Sequence, residues 1–570
     1  MTMNIKKIVI IQLLTLIIPA ITVPVNISAI TSVNSSKISE SLAQTAFLLV
    51  KDSKYNEARK YIQESLSYSK NNSLSYYVLG ILSEKDKRIN DAVGHYKKSI
   101  LLDEAASLAY FPLGKIYLQQ KKFDWAQFNL EKVTKTDKNN KEAYYCLGNL
   151  YGMTNKDNEA IALYKKALEL DPNYKEVHAK LGILYKNRNS YDRAIEHLDK
   201  SIKLGVKEPS VYLSAGIMKG FQGKYDEEIN LYKKVLAIDD SVASAHMNLA
   251  VAYLSKNENL KEAMNELFLA IDLCPTLKEA YYNLGVLYDR QQEFKLAQKA
   301  LLKAIELDSK YTDAYIAVAV SFTKVSDYVN ATISFDKAME IDPDRVELLI
   351  DYADMLIGLH KYDRARELLI RAIQNKPGSI EAHFNLGILY GLLNNNILAK
   401  KEFYKVIKLD ARNYEAYNYL GLLYSYSSDL KSAQYYYNKA IAINPFFEDG
   451  YFNLATLYEQ RGKLGDAVKL YYKVLEINPK YAYAHNNLGY VYERMSYRDQ
   501  AVQEYLKAIA IDPKLVQAYY NLGNIYEKQQ KYLETIKYYE KVLEIDPFHR
   551  DAKNRIQLVK KMLAKKHWMY

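Results

Sequence analysis

The nonapeptide AYYNLGNIY at residues 518–526 returns almost letter for letter as AYYNLGVLY at residues 280–288. With the glycine of NLG as anchor, the equivalent position falls at 46, 80, 114, 148, 182, 216, 250, 285, 319, 353, 387, 421, 455, 489 and 523. The step is 34 residues throughout, except for a single extra residue between 250 and 285. Its expected place is the stretch KNENL at 256–260, where a turn absorbs it. Fifteen units, repeats 1 to 15, therefore tile residues 39–549. Length alone would suggest about three or four domains. A fixed period of this size instead marks an array in which each unit is one layer.

One unit, NYKEVHAKLGILYKNRNSYDRAIEHLDKSIKL at residues 173–204, reads as two amphipathic helices joined by a short polar turn. Gly182 and Ala194 are small, which lets the two helices approach closely. Once the extra residue is allowed for, alanine stands twelve positions after the anchor in thirteen of the fifteen units and tyrosine three after it in ten. Proline stands twenty-four after it in eight, as in LDPNY at 170–174, where it cannot continue the preceding helix. A single unit cannot bury its apolar face, so neighbours must stack.

This set of letters at this period resembles the tetratricopeptide repeat (TPR). In repeat 14 the matching residues are His485, Leu488, Gly489, Tyr492, Ala501, Tyr505, Ala508 and Pro513. The resemblance spans about nine-tenths of the chain. It implies an all-α, right-handed superhelical solenoid of stacked helix-turn-helix units, with roughly thirty helices. Repeat 6 departs from the pattern, with Glu228 in place of the alanine and Lys219 in place of the tyrosine. A joint near 204–228 is the expectation there, because an unpaired buried glutamate is costly.

The ends differ from the array. Residues 1–29 open with Lys6 and Lys7, continue with an apolar run from Ile8 to Ile18, and are followed by a polar linker at 30–38. That order fits an export signal or, left uncut, a membrane anchor; the alternative is a cytoplasmic protein with an apolar start. The expected location is exported, periplasmic or extracellular, or membrane-anchored. Residues 550–570 place Ala552, Ile556, Val559 and Leu563 on one helical face among lysines, which suits a basic capping helix that could also touch an anionic membrane surface.

Composition excludes several classes of function. The net charge of +11 is spread along the chain, so nucleic acid is not an expected partner. Cys146 and Cys274 are too few and too far apart for a disulfide framework or a zinc knuckle. No phosphate loop or nucleophile motif occurs, and His178, His246, His383 and His485 all stand four before the anchor, a packing position. The chain is expected to be no enzyme and to need no cofactor or metal.

Binding of a protein or peptide is the remaining reading. In the family the resemblance names, the first helix of each unit lines the concave face. Two before the anchor stand Asn248, Asn283, Asn385, Asn453, Asn487 and Asn521, whose amides can both donate and accept along an extended peptide backbone. The row resembles the asparagine ladder of O-linked N-acetylglucosamine transferases. Three before the anchor, an aromatic stripe that includes Tyr282, Phe384, Phe452 and Tyr520 offers apolar anchors for a groove. Six before it, an acidic series including Asp313, Glu347 and Glu381 suits the positive ends of helices. Lys115 and Asn149 are the only neighbours suggesting a carboxylate clamp. The expected function is a non-catalytic scaffold; the alternative is the substrate-recruiting part of a glycosyltransferase or polysaccharide-secretion system with catalysis on another chain.

Overall fold

Seven residues after the anchor the backbone turns left-handed. Asn155, Asn189, Ser326, His360, Asn394, Ser428 and Gln530 all adopt φ between 56° and 61° there. The next amide donates back to the carbonyl three after the anchor, as from Lys156 to Tyr151 and from Asn395 to Tyr390, each at 2.8 Å. This closes the first helix with a Schellman motif and sends the chain back along it. The second helix is capped in places by side chains: Asp327, Asn395 and Asp429 accept from the backbone N–H groups of Asn330, Leu398 and Ser432.

The computed structural model describes residues 27–105, 108–256 and 259–567, which contain 31 helices and no strand. Each repeat contributes two helices, such as Lys141–Met153 and Asp157–Leu170, and the last helix is Arg550–His567. The leader expected at 1–29 lies almost wholly outside the described residues. Residues 30–38, expected as a linker, are part of the first helix, Ile27–Lys51. No described helix is long and apolar enough to cross a membrane. The stretch 256–260, where the extra residue of repeat 7 is expected, includes residues 257 and 258, which lie outside the described residues; the helices on either side are Ala243–Lys256 and Leu260–Leu273.

The chain divides into two compact units at Pro275 and Thr276, away from 204–228. Repeats 1 to 7 form one and repeats 8 to 15 with the last helix form the other. Within each, the second helix of a repeat packs on its own first helix and on the first helix of the next repeat. The all-α repeat solenoid is thus built layer by layer. The anchor sets the spacing within a layer: a Cβ at Gly148 would lie 2.5 Å from the Tyr164 ring, and one at Gly421 would lie 2.5 Å from that of Tyr437. The residue sixteen after the anchor fills the place of that missing side chain. In the unit that ends the chain, Ala552 and Ile556 of the last helix pack with Tyr539 and Val542, and Arg555 pairs with Glu527 at 2.9 Å.

Repeat 6 meets its departures locally. Lys219 is buried and pairs with Asp199 at 3.1 Å and with Glu227 at 3.2 Å. Glu228 is also buried, in a space left by Gly220, whose Cβ would come within 2.7 Å of the carboxylate. Burial raises the Glu228 carboxyl above its ordinary value, and a hydrogen bond from Tyr232 offsets this only in part. A carboxyl raised in this way contributes stability that is complete below its unfolded pKa and is lost as pH rises through the folded value. Glu228→Gln is therefore expected to stabilise the chain by about 1 kcal/mol at neutral pH and hardly at all at pH 4. Chemical denaturation at both pH values checks this, and equal effects would count against it.

Candidate functional site

Within each unit the first helices of successive repeats present the residues two before the anchor side by side, and all six asparagines, Asn248 in the first unit and the other five in the second, are partly exposed. They fall into two groups. In the later repeats the amides bond laterally: Asn453 donates to Asn418 at 3.0 Å, Asn521 to Asn486 at 3.2 Å, and Asn487 to the Tyr471 hydroxyl at 3.3 Å. Asn418 and Asn486 stand three before their anchors, where most other repeats carry an apolar residue, and both are buried. Asn248, Asn283 and Asn385 make no side-chain hydrogen bond among the described residues. Their donors and acceptors are open among the described residues.

The aromatic stripe packs between layers. Phe384 lies edge-on to Phe403 and Tyr419, at ring-centroid distances of 5.5 and 5.4 Å. Phe452 lies edge-on to Tyr471 and stacks on Tyr481, and Tyr520 lies tilted between Tyr539 and His549. Each ring joins its own second helix to the start of the next unit. Tyr282 also packs on Tyr311, at 5.5 Å, but it lines a cavity as well.

That cavity, of about 340 Å³, lies across repeats 8 to 10. Its walls carry Asp289, Asp313, Glu347 and Asp351 with the single cation Arg345, over Val286, Ile316 and Val320. Arg345 is held by Asp313 at 2.5 Å. Asp289 bonds Lys324 through one carboxylate oxygen, while the other is buried with no hydrogen-bond partner among the described residues. The Asp351 carboxyl is pushed up to about 6, first by burial and then by the charges of Glu381, Asp354 and Glu347. Two cations are thus shared among four carboxylates: Arg345 also reaches Glu347 at 3.6 Å, Lys324 serves Asp289, and Asp351 has no cation of its own among the described residues. Asp313 and Glu347 belong to the acidic series that suits helix ends, whereas Asp351 stands outside that series. The signal available was Asp351 itself, an aspartate in the row that holds asparagine at 283 and 385.

In the first unit a cavity of about 560 Å³ is lined by Leu118, Tyr145, Met153, Ile183 and Leu184 with Asn149 and Lys180 at its polar edge. Tyr164 donates to the Asn149 carbonyl oxygen at 2.7 Å, and Lys180 pairs with Glu208 at 3.2 Å. Lys115 instead lies over the Phe111 ring and does not line this cavity, so the two residues of the suggested clamp do not meet there.

The four histidines tie each layer together. His383 places Nδ1 2.6 Å from Glu402 and donates from Nε2 to the Pro377 carbonyl at 3.1 Å. His246 and His485 pair likewise with Glu266 and Glu504. Burial opposes ionisation of Glu504, yet the bonds from His485 and Lys507 hold it below the usual carboxylate range. In repeat 5 the partner of His178 is His197, with the two Nδ1 atoms 2.8 Å apart, and burial lowers both imidazoles. These contacts span the two helices of one repeat and leave the cavities to other residues.

Family models described as tetratricopeptide repeat match residues 213–277, 278–311, 324–388, 380–413, 414–447, 436–469 and 516–549. One described as TPR repeat matches 154–189, 455–496 and 499–530. Together they reach over well more than half of the chain. No curated protein matches it. Among solved structures the chain is similar to yeast Tom70, at 17% identity over 75% of this chain and 96% of that one, with a TM-score of 0.41. It is similar to the Cut9–Hcn1 hetero-tetramer of the APC/C at 14% identity, covering 87% of this chain and 98% of that one, with a TM-score of 0.40. It is also similar to PilF of Pseudomonas aeruginosa at 22% identity, covering 35% of this chain and 92% of that one, with a TM-score of 0.33. With the period, the helix pairs and the family matches in agreement, the chain belongs to the tetratricopeptide repeat family and is a protein–protein interaction scaffold of that type.

Proposed function

We propose that this scaffold holds an extended segment of a partner protein along the face of its first helices, and that the segment places a basic side chain in the Asp351 cavity. The observation that carries the reading is the pairing of open amides at Asn283 and Asn385 with the cavity, which lies in the repeats between them and has more carboxylates than cations. Amides read the partner's backbone without regard to sequence, whereas the carboxylates select lysine or arginine. The order of charge and hydropathy in residues 1–29 supports an exported or membrane-tethered scaffold. Chemistry, where the partner system has any, resides on another chain.

Cross-linking of the protein in native cell fractions tests this, with a double variant of Asn283→Ala and Asn385→Ala beside a triple one of Asn453→Ala, Asn487→Ala and Asn521→Ala. An open amide that bonds a ligand contributes about 1 kcal/mol, so the first variant is expected to weaken one partner by about 30-fold. The second is expected to retain it, because those amides already bond within the protein. An unchanged partner in the first variant would overturn the backbone-reading role. N-terminal sequencing of the same samples tests location: loss of residues up to about Ala29 is expected, and an intact leader in a cytoplasmic fraction would remove the export reading.

A further inference from the structure

On one flank of several repeats, a residue four before or three after the anchor faces the residue fifteen after it on the second helix. Several repeats fill this place with a ring of their own. In repeat 12 Tyr436 lies between Tyr417 and Tyr424, at centroid distances of 6.3 and 5.3 Å and interplanar angles of 28° and 12°. In repeat 15 Tyr538 stacks on Tyr526 at 5.4 Å and 3°, and in repeat 5 His197 stacks on Tyr185 at 5.6 Å and 11°.

Repeat 8 keeps the two walls and lacks the ring. Tyr281 and Tyr288 occupy the positions of Tyr417 and Tyr424, and between them stands Ala300. A cavity of about 460 Å³ opens here over Leu284. Two walls seven residues apart on a helix are about 10.5 Å apart along its axis, which leaves space for one ring in stacking contact with each. The rim carries Lys299 and Lys303 with Glu306. Lys295 precedes them at single-turn spacing on the second helix, Phe294–Leu307, outside the lining itself. Lys303 pairs with Glu306 at 2.7 Å, while Lys295 and Lys299 form no ion pair among the described residues.

We infer that the repeat-8 slot receives an aromatic side chain of a partner protein, from a segment with acidic residues beside that ring. The occupant is argued from the chain itself, which supplies Tyr436 to the same pair of walls in repeat 12. The basic rim gives the ring's neighbours their charge. The slot involves none of the open asparagines and none of the residues lining the Asp351 cavity, so it stands or falls apart from the function proposed above.

The probe is the tripeptide Ac-Asp-Tyr-Asp-NH2 with 3-fluorotyrosine, titrated with the full chain and followed by fluorine NMR line broadening. The comparison ligand is Ac-Lys-Tyr-Lys-NH2 carrying the same label, and Ac-Asp-Ala-Asp-NH2 serves as an unlabelled competitor. Weak, millimolar binding of the first is expected, about tenfold tighter than that of the lysine peptide and not displaced by the alanine one. Ala300→Tyr supplies the missing ring and is expected to abolish binding with no loss of thermal stability. Tyr288→Ala removes a wall and is expected to weaken it about tenfold, which keeps the test open if the first variant does not fold. Equal binding of the two labelled peptides, displacement by the alanine peptide, or undiminished binding by a folded Ala300→Tyr chain would overturn the inference. Self-association that Ala300→Tyr removes, without any response to the peptides, would assign the slot to a second copy of this chain and overturn it as well.

Discussion

Gly421→Val is expected to lower the unfolding free energy of its region by about 3 kcal/mol, the upper end of what overpacking a core costs. Even a bare Cβ at this position would lie 2.5 Å from Tyr437 Cε1, and the two methyl groups of valine go further into the same space. The ring cannot move aside, because Tyr437 is only 2% exposed and packs with Ala433, Leu454 and Leu457. The contact between the two helices of repeat 12 must therefore widen, and the strain passes to the neighbouring layers on which stacking depends. The companion Tyr437→Ala is expected to cost about 3–5 kcal/mol alone, by leaving a cavity. In the double variant valine occupies part of that cavity, so the two losses should sum to more than the double variant shows, by at least 1 kcal/mol. Denaturant titration of the four chains measures this coupling directly. Simple additivity would mean that the anchor and the ring do not limit each other.

That pair also explains why so much of the fold was legible in the sequence. A glycine or alanine at the anchor, a bulky residue sixteen later and an alanine between them are local rules, and each layer repeats them, so the period alone carried the helix pairs. Repeat 6 reads as a weak point when Glu228 and Lys219 are taken as single letters. Their accommodation rests on Gly220, Asp199 and Glu227, which meet them only once the helices have packed. The aromatic stripe is ambiguous in the sequence for a related reason. A ring three before the anchor is placed by the same periodicity whether it lines a groove or bridges layers, and only the positions of Tyr419, Tyr481 and His549 distinguish the two for Phe384, Phe452 and Tyr520. The asparagine row was legible as a row. Which amides are open depended on Asn418 and Asn486 in the adjacent row. The Asp351 cavity was least legible, because its carboxylates come from three repeats and from different positions within them.

Asp351→Asn should stabilise the helix Val346–Gly358 by about 2 kcal/mol at pH 7.5 and weaken basic ligands in the same experiment. The sign follows from the carboxyl's displacement upward, from 3.8 to about 6. Its contribution to stability is complete below about pH 4 and is lost as pH rises through about 6, so at neutral pH the wild-type chain carries the full penalty of keeping this charge buried and beside Glu381, Asp354 and Glu347. A difference of that size corresponds to about 3 kcal/mol, which solvent around a partly exposed side chain reduces to about 2. Amide exchange of residues 346–358 at pH 7.5 and at pH 4.5 reads the local stability. Stronger protection in the variant at the higher pH and parity at the lower are expected, and parity at both would mean that the charge is already neutralised. A tripeptide with arginine at its centre, titrated at low ionic strength, reads the other half: about tenfold weaker binding to the variant at pH 7.5, with a wild-type affinity that falls as pH drops through 6. If stability rises and arginine binding is unchanged, the cavity holds unrelieved charge without selecting a cation. If both move together, the destabilisation of the free chain and its preference for a basic partner have one cause, since an arriving cation relieves the same repulsion that the asparagine removes.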